Sequence, residues 1–268
     1  MSRGKIILTF DVEEFDIPLE YGQSIPLEEQ IEITTTGLQK IQRLLSEHQI
    51  RCTFFTTAAY AQQQPVLIKS VSEKHEIASH GYSHSSFSVS DLSSSKEILE
   101  AIINQPLYGF RMPRHAPVDN SEIEKAGYAY NSSLNPTWIP GRYNYSTKPR
   151  LPFFSGNLVN IPTSVTPFFR IPLFWLSFKI FPIWFFKSLM LRTLKHDGFL
   201  SLYFHPWEFV EINAYRLPWF IRRMSGKDML DRLNDTISIL KSKGDFITMH
   251  DFCKLQFPLS TNCEKKQA

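Results

Sequence analysis

Cysteine is scarce in this chain: three in 268 residues, Cys52, Cys253 and Cys263, widely spaced. The set is too odd and too sparse for a disulfide framework, and it lacks the paired spacing of a zinc cluster. Cys52, in an apolar run, reads as a small buried residue. Charge of one sign is also lacking, with 29 Lys and Arg against 26 Asp and Glu, a net +3. No basic stripe accompanies that excess, so nucleic acid is not expected as a partner. A long uninterrupted apolar run is missing too. The most apolar stretch, residues 168–191, is broken by Arg170, Lys179 and Lys187 and by Pro172 and Pro182. Nothing reaches the roughly 18–20 apolar residues of a spanning helix. The stretch reads as a buried or half-buried helix pair with loops. The sharper reading is an interfacial segment with snorkelling cations and aromatic anchors. The opening residues, MSRGKIILTFDVEEFD, lack the apolar core of a signal peptide, so a reducing, cytoplasmic location is expected. No internal repeat or low-complexity linker divides the chain, and one domain is expected over residues 1–268, with its core at about 5–255.

What is present is aromatic and periodic. The 22 Phe, 10 Tyr, 5 Trp and 17 Pro suit either an aromatic core or loops that line a cleft. Short β-rich runs at Lys5–Phe10, Ile50–Thr56, Glu76–Ser79, Leu107–Arg111, Tyr128–Tyr130, Val159–Pro162, Phe199–Phe204 and Phe246–Met249 read as strands. Helical spacing marks Ile31–His48, Pro65–Lys74, Asp91–Ile103, Ser121–Ala126 and Lys227–Ser242. Such alternation implies an α/β fold of parallel units, expected to close as a barrel. Residues 136–167 read as a long loop over the site. In parallel β/α folds the chemistry sits at the C-terminal ends of strands, and titratable residues cluster at four such ends.

The first is Thr9–Glu14, TFDVEE. Side chains alternate along an extended chain, so Asp11 and Glu13 point the same way. One acid could hold a metal while the other acts as a general base; a solvated acidic turn is the plainer reading. The second is SHGYSH, where His80 and His84 at i and i+4 fit one face of a helical turn and could share a metal. Surface or capping histidines would give the same spacing. With a carboxylate from the first motif the set becomes His₂-carboxylate, which leaves room for water and substrate. The third is FRMPR: Arg111, held by a following proline segment, would lower the pKa of Asp11 and orient it, while Arg114 and His115 could contact substrate. The fourth is LYFHPWE: His205, held stiffly at a strand end, could donate a proton to a leaving amine. Trp207 could stack on a sugar ring, and Glu208 could pair with the imidazole. A core histidine is the plainer reading there.

These four motifs, in this order, resemble those of the NodB-homology polysaccharide deacetylases (carbohydrate esterase family 4). The stretch Tyr130-Asn131-Ser132-Ser133 resembles a further family motif, with Asn in place of Asp. The likeness is nearest to the branch with the HPWE ending, associated with exopolysaccharide production in bacteria. The resemblance implies a distorted (β/α)₇ barrel. It also implies a metal-dependent hydrolase that removes N-acetyl groups from amino sugars of a polysaccharide or a lipid-linked glycan precursor. By the same analogy Asp11 is the base, Glu13 the metal ligand with His80 and His84, and Glu14 the competitor for that place. Arg111 keeps Asp11 ionised, His205 is the acid, and Tyr82, Arg114 and Trp207 contact substrate. Zinc is the expected divalent ion. The partner is then an N-acetylated amino sugar, with peripheral membrane or lipid-linked contact through residues 168–191. The rival expectations are an amidase or deformylase on another C–N amide of a membrane-proximal sugar, and a non-catalytic carbohydrate-binding relative.

Overall fold

A computed structural model describes residues 3–258; Cys263 lies outside them. The frame is one curled sheet. β1 (Gly4–Val12) pairs in parallel with β2 (Thr53–Thr56). β3 (Glu76–Ser79), β4 (Gly109–Phe110), β5 (Tyr130–Asn131) and β6 (Leu158–Asn160) follow, each parallel to its neighbour. β7 (Phe199–Phe204) runs along the other edge of β1, and β8 (Gly244–Phe246) pairs with the first residues of β1. No ladder joins β6 to β7 among the described residues. The seam is laced instead: Ser164 N–H donates to the Ser201 carbonyl at 3.0 Å, and Ser201 N–H to Ser164 Oγ at 2.9 Å. The α/β barrel expected from the motifs is therefore present in its distorted, single-domain form.

The alternation in β1 explains both the core and the site. Ile6, Leu8, Phe10 and Val12 face outward against helix residues such as Leu38, Ile41 and Leu45, all buried. Ile7 faces inward with Phe55, Ala78, Tyr130 and Val159. A strand covered on both faces must be apolar throughout, so the polar inward positions stand out. They are Thr9 and Asp11, both buried.

The helix read as Ile31–His48 spans Leu27–His48. Its first turn carries Glu28 and Glu29, which favour the helix N-terminus but give no apolar period. This helix fixes two motifs at once. Thr34 Oγ1 donates to the Glu13 carbonyl at 2.7 Å, and a Cβ on Gly37 would lie 1.9 Å from the Pro206 carbonyl oxygen. Only glycine permits that approach to the turn after His205.

Three expectations need correction. The strand expected at Phe246–Met249 ends at Phe246. Thr248 instead caps the helix Met249–Gln256, its hydroxyl accepting from Asp251 N–H at 3.1 Å. The histidines of SHGYSH are not on a helical turn either: β3 ends at Ser79, Gly81 is left-handed at φ +77°, and an irregular loop carries His84. Residues 168–191 form the expected helix pair, Trp175–Ile180 and Ile183–Asp197, broken at Pro182. Lys179 does not snorkel; it is fully buried. No helix among the described residues is long and apolar enough to cross a membrane. The expected long loop holds a small hairpin, Trp138–Ile139 against Tyr143–Asn144.

Candidate functional site

The four motifs converge at the C-terminal ends of the strands. Glu13 lies just past β1. Its Oε2 is 3.1 Å from His80 Nε2 and 3.2 Å from His84 Nε2. One ligand atom from each of the three residues falls within 4.8 Å of the others, a set able to hold a metal ion. The tautomers suit that role. His80 Nδ1 donates to the Arg111 carbonyl at 2.9 Å, which leaves Nε2 as a lone-pair donor to an ion. His84 Nδ1 lies 2.8 Å from Asp16 Oδ1, so the carboxylate orients that ring in the same way. Two nitrogens and one oxygen fit a catalytic zinc-type site with open positions.

Glu14 is elsewhere. It is buried beside Thr57, whose hydroxyl donates to its Oε2 at 3.2 Å. Burial raises its pKa, whereas Glu13 is held the other way. Burial would raise Glu13, but His84, His205 and His80 hold it well below the usual carboxylate range. For His84, burial opposes the charged form, yet Glu13 and Asp16 lift its pKa to about 9. An incoming dication must displace that proton, so affinity falls at low pH.

Asp11 stands beside the trio, its Oδ2 4.0 Å from His80 Nε2. Arg111, fully buried, donates Nη1 to Asp11 Oδ1 at 2.5 Å and to Thr9 Oγ1 at 2.9 Å. Its Nη2 reaches Ser132 Oγ at 3.0 Å, its Nε the Ser132 carbonyl at 3.2 Å, and its Cζ lies 4.0 Å from the Phe55 ring centre. Burial raises the Asp11 pKa, but Arg111, His80 and His205 overcome it and the net shift is downward. Ser133 supports the same segment, its hydroxyl accepting from Met112 N–H at 2.8 Å. The Tyr130–Ser133 stretch is thus the seat of the arginine.

His205 faces the trio from the other side, with Nε2 3.8 Å from Glu13 Oε1. Its Nδ1 and its backbone N–H both meet Glu208 Oε1, at 2.9 and 2.7 Å. Burial lowers its pKa, but Glu13 and Glu208 outweigh this and the net shift is upward. Behind Glu208 stands Lys179, 3.5 Å from Oε2 and donating to the Ile221 carbonyl at 2.9 Å.

Three residues read as substrate contacts fall differently. Arg114 lines the cavity and pairs with Asp16 and Glu20, each at 3.2 Å. Trp207 is 2 % exposed. It also lines the cavity, stacks on His205 with ring centres 5.0 Å apart and donates Nε1 to Glu13 Oε1 at 3.4 Å. Tyr82 is exposed beside Gln62 and is not among the residues that line the cavity. Sequence reasoning missed Asp16, Lys179 and Trp175. Trp175 packs edge-on against His205 at 5.4 Å. Asp16 sits in an acidic run that names no partner, and Lys179 in an apolar run where its burial has no local signal.

All of this borders one cavity of about 550 Å³, walled by Ile139, Tyr143, Phe174, Trp175, Ile180 and Trp219 as well as the charged groups. A larger cavity of about 870 Å³, at the opposite ends of the strands near His75, Glu76 and His250, contains no comparable ligand cluster among the described residues.

Fold and site define the class: a curled α/β barrel with a His₂-carboxylate cluster, a paired acid and a paired histidine at its strand ends. The family model for polysaccharide deacetylase matches residues 1–130. The resemblance to polysaccharide deacetylases drawn from the motifs is thereby shown over that part of the chain, and it supports a reading as a carbohydrate deacetylase. The fold is shared with a protein from Mycobacterium smegmatis assigned as a polysaccharide deacetylase (18 % identity, 95 % of this chain and 91 % of that one, TM-score 0.67). It is shared equally with a protein from Pseudomonas aeruginosa PAO1 of the same assignment (15 %, 95 % and 92 %, 0.66) and with PuuE allantoinase (17 %, 95 % and 91 %, 0.64). No curated protein matches the sequence.

Proposed function

We propose that the protein is a metal-dependent deacetylase that removes the N-acetyl group of an amino sugar in a polysaccharide or a lipid-linked glycan precursor. The observation that carries this reading is the meeting of Glu13, His80 and His84 between Asp11 and His205. A divalent cation, with zinc expected, held by Glu13, His80 and His84 would supply Lewis acidity to a water and to the amide carbonyl. Asp11, ionised and aimed by Arg111, takes the proton of the attacking water. His205, whose pKa Glu13 and Glu208 shift upward against burial, gives a proton to the departing amine. Trp207 and Trp175 hold its ring and keep water from its flanks. Acetate and a free amino sugar leave.

The test is acetate release from N-acetylated chito-oligosaccharides by zinc-loaded protein. The expected result is turnover that a chelator abolishes and zinc restores. Full turnover after chelation would contradict it.

A lipid-linked substrate is supported by the rim. Ile180 and Trp219 border the cavity and are exposed, and Trp184, in the first turn of the helix Ile183–Asp197, is 71 % exposed. Exposed aromatics with a cation beside them, as Arg223 lies 6.0 Å from the Trp219 ring centre, suit a lipid interface. Flotation with anionic vesicles is expected to carry the protein upward and to weaken in Trp184→Ala/Trp219→Ala; unchanged sedimentation would remove this part of the reading. A sugar amide other than acetamide, such as a formamide, would use the same groups, and comparing formate with acetate release distinguishes the two.

A further inference from the structure

One group in the catalytic cavity has no role in the chemistry above. His115 lines that cavity and is 5 % exposed. Its Nδ1 lies 2.9 Å from the Ser133 carbonyl oxygen. A carbonyl only accepts, so Nδ1 carries the hydrogen and Nε2 is left with a lone pair. That Nε2 is buried and has no hydrogen-bond partner among the described residues. Burial, with Arg111 nearby, lowers the pKa of the ring to about 4, so the ring is neutral at pH 7 and Nε2 stays an acceptor. Tyr203 and Tyr143 pack edge-on against it at 5.0 and 6.2 Å and fix its direction.

The backbone gives a second, independent sign. Arg114 and His115 are consecutive residues with left-handed φ, +57° and +52°. Side-chain-bearing residues adopt that region singly and at a cost, and strain of this kind gathers at ligand-binding positions. Both residues line the cavity. Arg114 keeps donors beyond those given to Asp16 and Glu20.

We propose that His115 and Arg114 form a hydroxyl-recognition subsite, in which the bare Nε2 accepts from one ring hydroxyl of the sugar and the guanidinium donates to its neighbour. The ligand class is a pyranose with free vicinal hydroxyls. This rests on the reading of the cavity as an amino-sugar site and adds the residue that selects the ring.

The test uses the full chain with ¹⁵N-labelled histidine, N,N′-diacetylchitobiose as probe and acetamide as a control without hydroxyls. The expected result is movement of the His115 Nε2 resonance with the sugar and none with acetamide. His115→Asn, which tolerates left-handed backbone, should bind the sugar about five- to tenfold more weakly, the loss of one neutral hydrogen bond. Sugar binding with Nε2 unmoved, equal binding by the variant, or no sugar binding at all would overturn the subsite. Acetate is assayed in the same samples. Sugar bound through His115 without acetate release would sink the deacetylase reading and leave the subsite standing.

Discussion

At the residue scale, the division of labour among three acids follows from their neighbours. Asp11 has an arginine, Glu13 has three imidazoles, and Glu14, raised chiefly by burial, has a threonine. Arg111→Met should therefore strand a buried carboxylate, and we expect a loss of about 3–5 kcal/mol in denaturant unfolding. A loss under about 1 kcal/mol would mean that Asp11 finds another partner. His205→Gln should keep full metal content and lose about 10²–10⁴ in turnover, while loss of metal with the rate would assign it to the ligands instead. The acids and histidines were legible in the sequence because alternation in a strand and the position of strand ends put them on one face. Which of Glu13 and Glu14 meets the histidines was not, because the chain leaves extended geometry at that point and the choice depends on where His84 is carried by its loop.

At the element scale, two helices set the active histidine and neither advertises it. The helix Leu27–His48 rests against Pro206 through Gly37. In Gly37→Ala the added methyl must push the helix or the turn aside. We expect about 1–3 kcal/mol of destabilisation and a fall in turnover at constant metal content; an unchanged rate would show that the turn is free of the helix. The short helix Trp175–Ile180 supplies Lys179 to Glu208. Lys179→Met leaves Glu208 buried without its counter-charge and should cost about 3–5 kcal/mol. The double change Lys179→Met/Glu208→Gln should recover part of that loss, and additive losses would show that the two charges do not interact. The helix pair could be read from apolar spacing and Pro182. The partner of its buried lysine could not, since it is 29 residues away on another strand end.

At the scale of the whole molecule, three histidines are held neutral by full or partial burial, His115 in the catalytic cavity and His75 and His250 beside the second one. Burial lowers His75, His115 and His250 to about 4, against about 6.5 in the unfolded chain. The unfolded state then binds more protons between pH 6.5 and 4, so stability falls as pH drops through that window. His84 acts in the opposite sense: raised to about 9, it adds stability below about 6.5 that is lost as pH rises through 9. Urea midpoints of metal-free protein should accordingly decline on both sides, and a midpoint flat from pH 4 to 6.5 would contradict the lowered pKa of these rings. The order of strands and helices was readable along the chain, whereas the laced seam between β6 and β7 rests on Ser164 and Ser201, two serines that carry no sequence signal.

The central claim is that Glu13, His80 and His84 grip one cation. Zinc content measured by elemental analysis after dialysis decides it most directly. One zinc per chain is expected in the native protein and in Glu14→Gln, with near-complete loss in His84→Ala and Glu13→Ala. Full zinc retained in His84→Ala, or zinc lost in Glu14→Gln but kept in Glu13→Ala, would contradict the account.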